Sequence, residues 1–148
     1  MRNTIIIILI GLIFIGCSKE SFTTIPQLKF KSVNTNKLFP NQLIQFTLSF
    51  TDKEGDLQDS VFIEKVGAKC PESNLKLKYL LPKLSGSTIT GGDLLVTLAN
   101  GINISGYENL SIAPKCEYND TCYFRFVLRD KAQNKSDTVK SEMIIIYK

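Results

Sequence analysis

The chain has 148 residues, 43% hydrophobic and 22% charged, with 18 basic against 14 acidic side chains for a formal net charge of +4. It contains no His and no Trp. Without His, Ser-His-Asp and Cys-His catalysis and His-ligated zinc hydrolysis are excluded within this chain. The lysines are scattered along the sequence, which gives nucleic-acid binding no support.

The chain opens with Arg2 and an apolar stretch from Ile5 to Ile15 that only Gly11 interrupts. At ~1.5 Å per residue a helix of this length covers roughly half of the ~30 Å hydrocarbon core. It is too short to span and fits the hydrophobic region of a signal peptide over residues 1–16. The segment Phe14-Ile15-Gly16-Cys17 resembles a lipobox. Gly16 supplies the small residue before the cut and Cys17 the thiol that carries diacylglycerol. Two or three acyl chains at one point, at ~0.8 kcal/mol per buried CH₂, make a stable membrane anchor. The expected location is the cell envelope, as an outer-membrane lipoprotein. Ser18-Lys19-Glu20 partly resembles the surface-export signal of Bacteroidota lipoproteins, so the periplasmic face and the cell surface both stay open. Residues 17–25 then read as a short lipidated tether, and residues 26–148 as one domain.

From there the pattern is period two. Leu28 and Phe30 suggest a first strand. Gln42 to Phe50 sets Ile44, Phe46, Leu48 and Phe50 on one face against Gln45, Thr47 and Ser49 on the other, the signature of a half-buried strand. Val61 to Val66 is apolar on nearly both faces. Leu75 to Tyr79 alternates, and Leu94 to Leu98 is a shorter run. Tyr123 to Arg129 places Phe124, Phe126 and Leu128 inward with Arg125 and Arg129 outward, and Met143 to Tyr147 closes the chain. Turn residues separate the runs, among them Gly55, Gly91-Gly92 and Asn119-Asp120. No helical period stands out. About seven short strands at this spacing imply an all-β, two-layer antiparallel sandwich of immunoglobulin-like architecture, with a small barrel as the alternative.

Two loops carry candidate chemistry. Asp52-Lys53-Glu54-Gly55-Asp56-Leu57-Gln58-Asp59 holds four carboxylates in eight residues with a Gly for a sharp turn, a hard-cation composition without EF-hand spacing. Asp130 to Asn134 closes the strand at 123–129. In an immunoglobulin-like sandwich the loop after the second strand and the loop before the last lie at the same end. Asp52, Glu54, Asp56 and Asp130 are therefore candidate ligands of a structural Ca²⁺, the one cofactor considered. The alternative is a solvated acidic turn whose Asp and Asn side chains cap backbone amides, with Lys53 and Lys131 able to neutralise the charge without metal.

After Cys17, three cysteines remain: Cys70, Cys116 and Cys122. The strand directions place all three at the opposite end. Cys116–Cys122 closes the shortest loop and is the first expectation, with Cys70 as the alternative partner of either. Ser73 and Lys76 have S-x-x-K spacing but run into a strand, where the catalytic motif needs a helix. Ser60 and Thr138 sit in Asp-Ser/Thr-aliphatic triplets that resemble Bacteroidota O-glycosylation sites.

Phe50-Thr51-Asp52-Lys53-Glu54-Gly55-Asp56-Leu57 and Arg129-Asp130-Lys131-Ala132-Gln133-Asn134-Lys135-Ser136-Asp137 together resemble the early and late motifs of small Bacteroidota lipoproteins with one immunoglobulin-like, cadherin-like domain. Lys131 and Asp137 depart from the usual Arg and Asn. The resemblance implies export and an immunoglobulin-like fold, and it implies no activity. The expected function is a non-enzymatic binding, adhesion or complex-accessory module. Its partners would be the membrane, through lipid on Cys17, and an envelope protein or glycan. The rival is a carboxylate- or metal-dependent hydrolase of envelope polymers, with Asp56 and Asp130 as an acid–base pair.

Overall fold

The computed structural model describes residues 24–57, 59–82, 88–101 and 112–148. The expected signal peptide over 1–16, Cys17 and the expected tether up to residue 23 lie outside the described residues. Among the described residues nine strands follow in chain order: β1 Gln27–Val33, β2 Lys37–Leu38, β3 Gln42–Thr51, β4 Ser60–Gly67, β5 Leu75–Leu80, β6 Gly91–Asn100, β7 Asp120–Arg129, β8 Val139–Lys140 and β9 Ile144–Ile146. A single 3-10 turn, Pro71–Ser73, is the only helical element among the described residues.

The strands form two sheets, one ordered β1-β3-β6 and the other β2-β9-β7-β4-β5, with β8 also on β7. Pairing is antiparallel except for β2 on β9, which is parallel. This is a sandwich with immunoglobulin-like strand order. Its first strand is split between the layers: β1 belongs to one sheet and the short β2, which no periodicity announces, to the other. The last strand is also broken. At the breaks, the buried hydroxyls of Ser136 and Ser141 accept hydrogen bonds from the amides of Leu128 and Phe124, both at 2.9 Å. They replace ladder carbonyls where the backbone leaves β7.

The core follows the period-two pattern. Ile44, Phe46 and Leu48 from β3 meet Ile63 of β4 and Phe124, Phe126 and Leu128 of β7, all buried. Phe46 packs at a tilt on Phe124 and Phe126, with ring centroids 4.9 and 5.2 Å apart. Burying each such side chain contributes about 1.5–3 kcal/mol. Gly91 and Gly92, expected in a turn, are the first residues of β6 and pair with Thr51 and Phe50. A side chain at Gly91 would press on the Phe50 carbonyl at 3.1 Å, so the glycine permits close strand approach.

Candidate metal centre

The end of the sandwich beyond β3 and β7 holds three carboxylates. Asp52 follows the end of β3, Asp56 follows the turn at Gly55, and Asp130 follows the end of β7. One ligand oxygen from each lies within 4.8 Å of the others. Asp52 and Asp130 are buried and Asp56 is half-buried. The local sequence explains the arrangement. The Asp56 amide donates to Asp52 Oδ2 at 3.0 Å, closing a tight loop. Gly55 turns that loop at φ 65°, against Thr88 and the Ile89 amide, where a side chain has no room. Asp130 is fixed by Asn134, whose amide donates to Oδ1 at 2.7 Å and whose Nδ2 donates to Oδ2 at 2.9 Å. The Lys131 amide donates to the Asp56 carbonyl at 3.2 Å and ties the two loops together.

Glu54 does not join them. It is exposed at the tip of the turn, because the Asp52–Asp56 bond folds those two residues inward and projects the residues between them outward. Lys53 and Lys131 are exposed as well, and no ion pair among the described residues involves Asp52, Asp56 or Asp130. The neutralising lysines of the metal-free alternative are therefore not in place, whereas its amide caps are: Asp52 accepts from the Asp56 amide and Asp130 from the Asn134 amide.

Electrostatically the cluster is uncompensated. Burial pushes the Asp52 carboxyl above its ordinary value of 3.8, and the charges of Asp56 and Asp130 push the same way, against hydrogen bonds from the Asp56 and Gly55 amides. Asp52 Oδ1 and Asp56 Oδ1 are buried without a hydrogen-bond partner. Such orphaned acceptors cost about 1–3 kcal/mol each, more when charged. A cation that holds oxygens at ~2.3–2.6 Å draws its ligands to within about 5 Å of one another, the spacing seen here. An all-oxygen donor set without His or Cys suits a hard cation. This buried carboxylate group can hold a metal.

The opposite end carries two features of another kind. Among the described residues a disulfide joins Cys70 and Cys116, across a Cα–Cα distance of 6.0 Å, and Cys122 is a buried free thiol. The expected Cys116–Cys122 bridge is thus corrected. Cys122 lies inside β7 with its side chain in the core, whereas Cys70 and Cys116 both lie outside strands. Burial pushes the Cys122 thiol up to about 12, against the pull of Lys65 and with Asp120 adding to it, so it stays protonated and inert. A disulfide of this kind belongs to an oxidising, extracytoplasmic compartment.

Beside Cys122, Lys65 of β4 and Asp120 of β7 form an ion pair at 2.8 Å with both side chains fully buried. Lys65 Nζ also donates to the Ile112 carbonyl at 3.2 Å. Asp120 occupies the space above Gly67, where a Cβ would meet its Oδ1 at 2.6 Å. Sequence reasoning passed over this pair, although a signal existed: Lys65 falls on the inward parity of Val61 and Ile63. Of the two glycosylation candidates, Thr138 is exposed, whereas Ser60 is buried with its hydroxyl donating to Asp59 Oδ2 at 2.7 Å.

Fold and site together define an immunoglobulin-like β-sandwich with a buried carboxylate cluster at its loop end. No protein-family model matches the chain, and no curated protein matches it. Among solved structures, the sporulation control protein Spo0M from Bacillus subtilis is similar at 8% identity and a TM-score of 0.46. The alignment covers 85% of this chain and 51% of that one, so this chain spans about half the length of Spo0M. A likeness that weak carries no argument about function.

Proposed function

We propose that this is a lipid-anchored envelope lipoprotein whose β-sandwich serves as a non-enzymatic binding, adhesion or complex-accessory module, with a structural Ca²⁺ locking its loop end. The observation that carries the cation is the convergence of Asp52, Asp56 and Asp130 with two buried oxygens unpartnered. Asp52 and Asp130 would ligate alongside Asp56. The bound ion would supply positive charge to a cluster that has none, and would tie the β3–β4 loop to the β7–β8 loop. The anchor rests on the lipobox-like Phe14-Ile15-Gly16-Cys17, and the disulfide's oxidising compartment agrees with export. Among the described residues no helix is long and apolar enough to cross a membrane. The resemblance to Bacteroidota lipoproteins supports the same reading through its early and late motifs, which are the two loops of the cluster.

The burial of Asp130 supports this reading over the hydrolase. Its carboxylate is fully buried, out of reach of a polymeric substrate, while each oxygen, accepting one hydrogen bond from Asn134, keeps a lone pair for an ion between the loops. Calcium titration followed by thermal unfolding tests the site. Extracellular calcium modules bind at ~10⁻⁴–10⁻³ M. At ~10 mM Ca²⁺ this corresponds to ~1.4–2.7 kcal/mol, an upward midpoint shift of roughly 5–10 °C for a domain this size. An unchanged midpoint, or an equal shift with Asp56→Asn, removes the cation. Detergent-phase partitioning that survives Cys17→Ala removes the anchor.

A further inference from the structure

We propose that the outer face of the sheet containing β4, β5 and β7 binds an acidic polysaccharide. The lysines and arginines that look scattered in sequence are gathered here by strand pairing. Register places Lys76 and Lys78 of β5 beside Glu64 and Phe62 of β4, and these beside Arg125 and Val127 of β7. Lys140 of β8 pairs with Arg125. Arg129 and Lys135 complete the set through their contacts with Phe62.

Six cations gather on this face around Glu64 and Asp59, with the exposed Asp137 next to Thr138 at its edge, so basic groups outnumber acidic ones there. Arg129 pairs with Asp59, and Glu64 lies 3.3 Å from Lys76 and 3.4 Å from Arg125. Lys78, Lys135 and Lys140 form no ion pair among the described residues. They are held over aromatic rings instead: Lys78 and Lys135 over Phe62 at 5.9 and 5.6 Å, and Lys140 over Tyr123 at 5.0 Å. A ring face positions an ammonium while leaving its N–H donors free. Between the rows runs a shallow trough of about 470 Å³, lined by Phe62, Glu64, Lys76, Arg125, Val127 and Thr138 among others.

The chemistry favours a glycan among polyanions. Glu64 sits in the trough, where it repels a uniformly charged phosphate chain but accepts hydrogen bonds from sugar hydroxyls. The aromatic rings lie beneath the cations rather than projecting past them, which suits a hydrated polymer better than a lipid interface. The disulfide puts the domain in an oxidising compartment, away from cytoplasmic nucleic acid. Like charges on one face repel, and a chain of carboxylates relieves that repulsion along its length.

The test is fluorescence anisotropy of the full chain with labelled alginate in low salt. EDTA is present throughout, so the result does not depend on the calcium site. Binding is expected to alginate and not to neutral dextran, and to weaken with salt. The triple variant Lys78→Gln, Lys135→Gln, Lys140→Gln should weaken it roughly tenfold, at a fraction of a kcal/mol per exposed charge contact. Lys140→Glu alone should weaken it in the same direction and serves if the triple variant does not fold. Absence of alginate binding, or unchanged affinity in these variants, overturns the proposal. Binding to phosphatidylglycerol vesicles that the triple variant weakens as much as it weakens alginate binding, or tighter binding to duplex DNA, also overturns it, by assigning the face to lipid or to nucleic acid. Vesicle binding unchanged in the triple variant belongs to the Cys17 anchor and leaves the face to the glycan.

Discussion

Replacing Cys116 with Ala opens the covalent loop between Cys70 and Cys116, whose sequence separation is 46. In the chain-entropy account, a cross-link of that span removes loop-closure freedom from the unfolded chain worth about 4 kcal/mol at 25 °C. A bridge between Cys116 and Cys122 would close so short a loop that the same relation gives only about 2 kcal/mol. The pairing therefore has an energetic signature. Against a total stability of about 5–15 kcal/mol, the loss is large. Urea unfolding of the oxidised chain should show Cys70→Ala and Cys116→Ala each losing about 4 kcal/mol. The double variant should lose no more than either, because one bond is removed only once. Both should raise the denaturant slope, since the unfolded chain expands when the link is gone. Cys122→Ala should cost about 1 kcal/mol, for a small cavity in the core. Equal losses from Cys116→Ala and Cys122→Ala, with Cys70→Ala harmless, would refute the argument.

The carboxylate cluster predicts an unusual pH profile. Asp52 has a folded-state pKa above its ordinary 3.8, so it stabilises the fold below pH 3.8 and that contribution is lost as pH rises through the folded value. Asp59 behaves oppositely: hydrogen bonds from Arg129 and Ser60 hold its carboxyl below the usual range, and its contribution fades as pH falls. In EDTA, Asp52→Asn should melt higher than the unaltered chain at pH 7, and calcium should raise only the latter; identical melting curves for the two proteins would count against the cluster. The buried Lys65–Asp120 pair predicts strong coupling. Lys65→Met alone leaves an uncompensated carboxylate and should cost ~3–5 kcal/mol, whereas Lys65→Met with Asp120→Leu should recover most of it. Urea midpoints decide the matter, and additive losses would show that the two charges do not depend on each other.

Much of the fold is legible in period two alone. Ile44, Phe46 and Leu48 point inward because every second residue of a strand does, and the same rule orients Phe124, Phe126 and Leu128. Strand order then places the loops at 52–56 and 130–134 at one end, which is why Asp52, Asp56 and Asp130 could be named together. Glu54 could not be separated from them in advance, because its exclusion depends on one backbone hydrogen bond to Asp52. The inward parity of Lys65 was legible, but its partner was not, because Asp120 follows Asn119, where an acidic residue ordinarily signals a turn.

By itself the amino-acid sequence determined the main strands and their inward and outward faces, since these depend on residues within a few positions of one another. Tertiary structure decided the rest. Cys116 meets Cys70 rather than the nearer Cys122, because β7 turns the Cys122 side chain into the core. Lysines far apart along the chain become one charged face, because neighbouring strands lie only ~4.8 Å apart whatever the length of chain between them. Spacing along the chain governs local geometry, and strand register governs which distant side chains share a space.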